Sequence, residues 1–350
     1  MTRRSVVGGA ALGSLLALSG CGRIADLPGV RNLPFVGGGQ GPAQMLTRLP
    51  SSLYTDEGVL SVNWTRPAAI VEQLDLSSGS VLGAGTSPEV NRLKVVTISD
   101  PVTGNGSLLG NAADLDDLEP WYQVEQIRTC SQALTVMNPP ARVTVMEGAG
   151  DQLDLVEEML SAAYTRDGDL LRPDSDLLER AGLPAPADSL VPATIGAVCG
   201  DLVFTSEDSL ESIDGRNPLS PEDLGLQEML DAIDLPGAHI ARGLWRESPD
   251  EPYSSYLWMS ELDGFPDVTT RGAVRATGDP QELADTIEQA AGTWMSGPAV
   301  QIDSLEIEDD LVIIELEVTQ GERPYDDALT SLYQGMSGAD GPGLQLMLSR

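Results

Sequence analysis

Very few side chains in this sequence could act as a catalytic base or nucleophile. The chain contains a single histidine, His239, and a single lysine, Lys94. A serine hydrolase needs a base beside its serine, but the Gly-x-Ser-x-Gly motif does not occur. Asn91 stands where a Ser-x-x-Lys motif ending at Lys94 would need serine. Zinc would need clustered histidine and cysteine ligands. We therefore expect a protein that is not an enzyme and that holds no metal or cofactor.

Carboxylates are the abundant reactive group, with 54 acidic residues against 20 basic ones. They form two clusters, one of Asp114, Asp116, Asp117 and Glu119, the other of Asp167, Asp169, Asp174 and Asp176. Calcium prefers oxygen ligands, but the EF-hand loop has glycine at its sixth position, where this sequence has Arg172. We interpret the clusters as solvated loop acids. Calcium binding and a glycosidase pair of distant carboxylates stay open.

The charge of the chain excludes one class of partner. The formal net charge is −34, and such a surface repels the phosphate backbone of nucleic acids. We expect no nucleic-acid partner.

The first 21 residues have the order of an export signal. Arg3 and Arg4 precede an apolar run that ends in Leu18, Ser19, Gly20 and Cys21. Positive residues stay in the cytoplasm, a short apolar segment enters the translocon, and small residues fit a signal peptidase. The run is shorter than the about 20 apolar residues that span a bilayer.

Two resemblances refine this assignment. Leu18-Ser19-Gly20-Cys21 resembles the lipobox of bacterial lipoproteins, which implies that Cys21 is lipidated, becomes the new N-terminus and anchors the chain outside the cytoplasmic membrane. Arg3 and Arg4 resemble a twin-arginine signal, although the general secretory route stays open. With its scarcity of lysine, the chain is similar in organisation to uncharacterised envelope lipoproteins of actinobacteria.

The remaining cysteines form an even pair if Cys21 carries a lipid. Cys130 and Cys199 would then lie in an oxidising compartment, where a disulfide between them is expected. Two buried free thiols are the alternative.

The sequence predicts five segments: a signal peptide (1–20), a flexible Gly- and Pro-rich tether (21–42), an α+β domain (43–235), a strand-rich α+β domain (236–319) and a polar, partly disordered tail (320–350). The predicted fold class is α+β, with antiparallel sheets and packed helices. Ferredoxin-like split modules are the finer expectation.

Hydrophobic periodicity and turn residues predict the individual elements. Strands are expected at 58–64, 142–146, 170–171, 194–198, 202–205, 238–245, 255–262, 268–277, 304–308 and 311–318. Helices are expected from residue 119 through Leu134, ended by Asn138, and at 151–163, 221–233 and 279–294. Strand-then-helix units at 58–74, 193–213 and 268–296 echo one another, but no repeat is visible by residue identity.

These observations predict an anchored envelope protein that binds a partner protein, a lipid or a wall component, or assists a membrane complex. A solute-binding lipoprotein of a transporter and a carboxylate-dependent hydrolase of wall polymers are the alternatives.

Overall fold

The computed structural model describes parts of the chain between residues 41 and 318. The described residues are 41–47, 49, 59–66, 68–69, 130–138, 141–161, 164–181, 192–198, 200–206, 224–246, 252–262, 268–294 and 300–318. The predicted signal, most of the tether, the acidic cluster at 114–119 and the C-terminal tail lie outside them. No helix among the described residues has both the length and the apolar character needed to cross a membrane.

Twelve strands form one sheet in which each neighbouring pair is antiparallel. They are β1 (Val59–Thr65), β2 (Ala133–Asn138), β3 (Ala141–Met146), β4 (Tyr164–Asp167), β5 (Leu170–Pro173), β6 (Thr194–Val198), β7 (Asp201–Thr205), β8 (Ile240–Arg246), β9 (Tyr253–Leu262), β10 (Val268–Ala276), β11 (Val300–Glu308) and β12 (Leu311–Val318). From edge to edge the order is β11-β12-β10-β9-β8-β1-β2-β3-β7-β6-β5-β4.

Helices cover both faces of this sheet. Those with described bounds are α1 (Pro42–Leu46), α2 (Leu153–Leu160), α3 (Ser175–Ala181), α4 (Leu226–Ile233) and α5 (Pro280–Trp294). A short 3-10 turn, Gly150–Gln152, leads into α2. The coarse prediction of antiparallel strands with packed helices is therefore confirmed, and strands dominate.

Strand β1 shows why the sheet has two different faces. Its side chains alternate, so Leu60, Val62 and Trp64 point to one side, which we call face A. Face A is apolar: these three residues belong to one core cluster with Met45 of α1 and Met229 of α4. Helices α1 and α4 thus pack on face A at the middle of the sheet.

The other side, face B, carries Ser61, Asn63 and Thr65 of β1. Helix α2 covers the outer strands of face B on one side, where Leu153 and Val156 pack with Phe204 of β7. Helix α5 contacts β10, β11 and β12, near the opposite edge of the sheet.

The chain builds the same strand arrangement twice. In the second half, the meander β8-β9-β10 is followed by α5 and then by the hairpin β11-β12, whose second strand pairs with β10. In the first half, β1, β2 and β3 pair antiparallel in the same order, with residues 66–132 between β1 and β2, and are followed by α2 and later by the hairpin β6-β7, whose second strand pairs with β3. The first unit has β4, β5 and α3 inserted before its hairpin.

The two units meet at the β1–β8 ladder. Val62 pairs with Gly243 at its middle, so a pseudo-two-fold axis through this pair makes Val59 correspond to Ile240. Trp64 then corresponds to Trp245, and both indoles are buried in the face A core. Both indole N–H groups donate, Trp64 to Gln132 Oε1 at 3.0 Å and Trp245 to the Leu224 carbonyl at 2.8 Å. The structure therefore contains the same strand arrangement in both halves, and its units differ from the predicted units at 58–74, 193–213 and 268–296.

One helix prediction was wrong in the part that the structure describes. The sequence predicted a helix that continued through Leu134 and was ended by Asn138. Ala133–Asn138 is instead strand β2, and Cys130 is not helical. Thr135 and Val136 are β-branched and favour a strand, and β2 forms ladders with β1 and β3 on its two sides. Residues 119–129 of that predicted helix lie outside the described residues.

The other predicted elements that fall on described residues are present, the helices 153–160 and 226–233 being shorter than expected. Strand β4 and helices α1 and α3 were not predicted. The predicted boundary between domains 43–235 and 236–319 lies between two strands that pair, β1 and β8, and the sheet is continuous across it.

Candidate functional site

Buried polar side chains are concentrated at the middle of face B. Of the thirteen buried polar or charged residues in the described part of the chain, eight project from face B positions of the six central strands. They are Asn63, Thr65, Thr135, Arg142, Thr144, Arg242, Ser260 and Thr270. We call this set the central polar strip. The strip is unusual because the middle of a sheet ordinarily buries apolar side chains.

The strip follows from strand register. Asn63 of β1 lies directly opposite Thr135 of β2 on one side and Arg242 of β8 on the other. Directly opposed residues of an antiparallel pair have Cβ atoms about 4.5–5.5 Å apart. The row continues from Thr135 to Thr144 of β3. An amide, a guanidinium and two hydroxyls are thus neighbours across four strands.

Some members of the strip satisfy one another. The hydroxyls of Thr135 and Thr144 are 2.8 Å apart, and those of Ser260 and Thr270 are 2.9 Å apart. These two hydroxyl pairs are buried hydrogen bonds that join neighbouring strands. They have an ordinary structural role.

Asn63 and Thr65 differ from these pairs. Asn63 is 2% exposed, and neither Nδ2 nor Oδ1 of its amide has a hydrogen-bond partner within the described structure. The Thr65 hydroxyl, fully buried on the same strand, also lacks a described partner. Leaving a buried polar group unsatisfied costs about 1–3 kcal/mol. Groups of this kind call for a ligand or a bound water as an explanation.

Two arginines supply positive charge to the strip. Arg242 is 3% exposed and stands opposite Asn63 on one side and Trp258 of β9 on the other. Arg142 is also buried; its backbone N–H donates to Ser206 Oγ at 2.8 Å, and its carbonyl accepts from the Ser206 N–H at 3.0 Å. The face B positions of β1, β2, β3, β8, β9 and β10 carry no Asp or Glu. The strip therefore combines hydrogen-bond donors with positive charge.

The pseudo-symmetry shows that the fold does not require Asn63. The residue that corresponds to Asn63 in the second unit is Leu244, which is buried on the same face. The residue that corresponds to Arg242 is Ser61. The strip is therefore a departure from the repeated unit rather than one of its structural features.

His239 stands immediately before β8 and is buried. Its backbone N–H donates to the Ser260 carbonyl at 2.8 Å, and its backbone carbonyl accepts from the Arg66 backbone N–H at 2.8 Å. Burial, and then the positive charge of Arg66, lower the pKa of the imidazole. Both effects disfavour the protonated imidazole in the folded protein.

All six residues named for the predicted signal and lipidation site lie outside the described residues: Arg3, Arg4, Leu18, Ser19, Gly20 and Cys21. Of the predicted disulfide, Cys130 is buried in the core under α2, and Cys199 lies outside the described residues. The residue after it, Gly200, accepts a hydrogen bond from the Gly150 N–H at 2.9 Å at the same end of the sheet. The disulfide stays a prediction.

The second acidic cluster is used locally. The Asp174 carboxylate accepts hydrogen bonds from the N–H groups of Asp176 and Leu177 and so caps α3. Asp167 forms an ion pair with Arg172 at 3.3 Å. In the part of the chain that the structure covers, no three His, Cys, Asp or Glu side chains are grouped so that they could hold a metal ion.

Sequence reasoning missed the strip because an alternating strand with Ser61 and Asn63 on one side looks like a strand with one solvent-facing side. The signal that could have indicated it is an amide at the middle of a strand flanked by two other predicted strands.

No protein-family model matches this chain, and no curated protein and no solved structure matches it significantly.

Proposed function

We propose that this chain is a membrane-anchored extracytoplasmic lipoprotein with a binding or accessory role in the cell envelope, and that it is not an enzyme. The observation that carries the location is the Leu18-to-Cys21 motif behind an apolar segment that starts with Arg3 and Arg4. The observation that carries the binding role is the central polar strip with its unsatisfied Asn63 amide.

The segment between the anchor and the folded body suits an exposed location. It is rich in glycine and proline, and about 20 residues of flexible chain have a root-mean-square length of roughly 25 Å. A tether of that length would hold the sheet clear of the lipid headgroups while keeping it near the membrane. The anionic surface favours the same distance, since bacterial headgroups are themselves anionic.

Binding through a face of the sheet agrees with the chemistry of its long edge strand. Strand β11 has a register shift between Ile302 and Ser304, and its exposed residues include Asp303, Glu306 and Glu308. Bulges and charges on an edge strand oppose the addition of a further strand. An extended peptide that pairs with this edge is therefore disfavoured as the partner.

The finer fold prediction, ferredoxin-like split modules, remains a hypothesis. Each described unit has a helix between antiparallel strands, as such modules do. In each unit, however, three antiparallel strands precede that helix.

The location is tested by intact mass spectrometry of the protein purified from the native membrane fraction. We expect a lipid-sized mass increase and membrane association, both lost in a Cys21→Ala variant. A Cys130→Ser variant is the matched control, since it removes a thiol but keeps the motif, and it should retain both. An unmodified Cys21 in the native protein would overturn the anchored location and the role derived from it.

A further inference from the structure

We infer that the Asn63 end of the central polar strip is a binding site for a small oxyanion, the carboxylate or phosphate group of a ligand. This inference rests on the proposed binding function and adds to it a site and a ligand class. The site consists of the Asn63 amide, the Thr65 hydroxyl and the Arg242 guanidinium on the neighbouring strands β1 and β8.

The argument begins with the buried amide. The side chain of Asn63, which is 2% exposed, has two polar groups, a carbonyl oxygen and an NH2. Neither group has a hydrogen bond to any described residue. A buried group in this state destabilises the fold unless something else satisfies it. Leu244 fills the corresponding position in the second unit, so the architecture would accept an apolar residue here. The amide is therefore present for what it binds.

The chemistry around Asn63 favours an acceptor with negative charge. The Asn63 NH2 offers two hydrogens and the Thr65 hydroxyl one, while Arg242 stays protonated at any ordinary pH. Charge-assisted hydrogen bonds to an oxyanion are about twice as strong as neutral ones. No acidic residue occupies the face B positions of the central strands. The Asn63 carbonyl can accept a hydrogen bond from a bound water or from a monoprotonated phosphate.

The ligand group must be small. Thr65 and Asn63 lie two positions apart on one strand, which separates them by about 6.5–7 Å. The hydroxyls of Thr135 and Thr144 are engaged with each other beside them. This spacing suits one carboxylate or one phosphate, and not a repeating polymer.

The test uses the full chain, purified in detergent, and follows its thermal unfolding. The probes are sodium acetate and sodium phosphate, each compared with sodium chloride at equal ionic strength. We expect at least one probe to raise the midpoint by roughly 2–4 °C at saturation. A response to acetate alone identifies a carboxylate ligand, and a response to phosphate alone identifies a phosphoryl ligand. A response to both probes indicates that the site recognises the oxyanion chemistry that they share.

Three variants decide whether the effect comes from this site. Asn63→Leu copies the residue of the second unit and should abolish the probe response. Thr65→Val keeps the shape of the side chain and should weaken the binding of the probe several-fold. This second variant keeps the inference testable if Asn63→Leu does not fold. Thr194→Val is the matched control, because its buried hydroxyl also has no described partner but lies on face A of β6. It should respond like the native chain.

Two results would overturn the inference. One is a native chain that responds to neither probe, which would leave Asn63 with a bound water only. The other is an equal response of the native chain and of the Asn63→Leu and Thr65→Val variants, which would indicate an adventitious ion only. Either result, with the lipid mass on Cys21 intact, would remove the oxyanion site and leave the anchored location standing.

Discussion

Gly272 should be essential for packing in the second unit, because the ring of Trp258 occupies the space that a side chain would need. The two residues are directly opposite on β10 and β9. A Cβ atom at Gly272 would lie 2.3 Å from Cε3, 2.5 Å from Cζ3 and 2.8 Å from Cδ2 of the Trp258 ring. Carbon atoms in contact prefer about 3.5–4.0 Å, so the ring would have to retreat by more than about 1 Å. Trp258 is buried, with 3% exposure, and has little room for that movement.

The magnitude follows from two opposing terms. Overpacking of a buried site costs about 1–3 kcal/mol. Replacing glycine with alanine at a compatible backbone position stabilises by about 0.4–1 kcal/mol through the unfolded chain. We therefore expect Gly272→Ala to lower the free energy of unfolding by about 1–2 kcal/mol. The loss should appear in urea unfolding as a lower midpoint, while the dependence of the free energy on urea concentration stays unchanged.

Gly278→Ala is the control for this experiment. No described atom lies within 4 Å of a Cβ built at Gly278, so the same substitution should be neutral or slightly stabilising. In a Trp258→Leu background the penalty of Gly272→Ala should fall below about 0.5 kcal/mol, since a smaller side chain removes the clash. Equal midpoints for Gly272→Ala and Gly278→Ala would refute the packing argument.

Two further predictions concern the cysteines and the histidine. The native chain should gain two hydrogens in mass on reduction and lose up to about 4 kcal/mol of stability, because Cys130 and Cys199 would close a loop of about 70 residues. Cys130→Ser should show neither change, and a native mass that reduction does not alter would exclude the bond. His239 is expected to make stability fall as the pH drops below about 6.5, the unfolded value, because burial and Arg66 lower the pKa of the folded imidazole and the unfolded state then binds more protons. A His239→Gln variant measured from neutral pH to about pH 5 should lack this contribution, and a stability difference that is constant with pH would contradict it.

Local signals in the sequence were sufficient for most of the strands. Asp309-Asp310 between two alternating segments predicted the β11–β12 hairpin, and Asp309 has the positive φ, 53°, that such a turn needs. Gly200 has a φ of 90° at the turn between β6 and β7. The strands themselves alternate apolar residues with a period of two, which is a strong signal.

Where local signals conflicted, the sequence was misleading. Leu134 lies at helical spacing from earlier apolar residues, yet it belongs to β2 because Thr135 and Val136 pair with strands on both sides. The partner strand β1 is far away in the sequence, and a period counted within one segment contains no information about it. Pairing between distant strands decided this segment.

The central polar strip was out of reach for a related reason. Asn63 and Ser61 alternate with Leu60 and Val62, and a strand at the surface of a two-layer protein has the same pattern. Burial of the polar side depends on the position of β1 in the sheet and on what packs over face B, and the period of one strand shows neither. The position of β1 results from its pairing with β8. No motif in either strand predicts that pairing.

The two halves of the chain diverge most where we place the ligand. On face A, Trp64 and Trp245 occupy corresponding positions, and each buries its ring and donates its indole hydrogen. On face B, the corresponding residues are Asn63 and Leu244. Packing of the shared core restricts the first pair, since both rings fill the same kind of space. Nothing in the repeated architecture restricts the second pair to an amide, so the difference between the halves, and not their likeness, is the reason for placing the proposed binding site at Asn63.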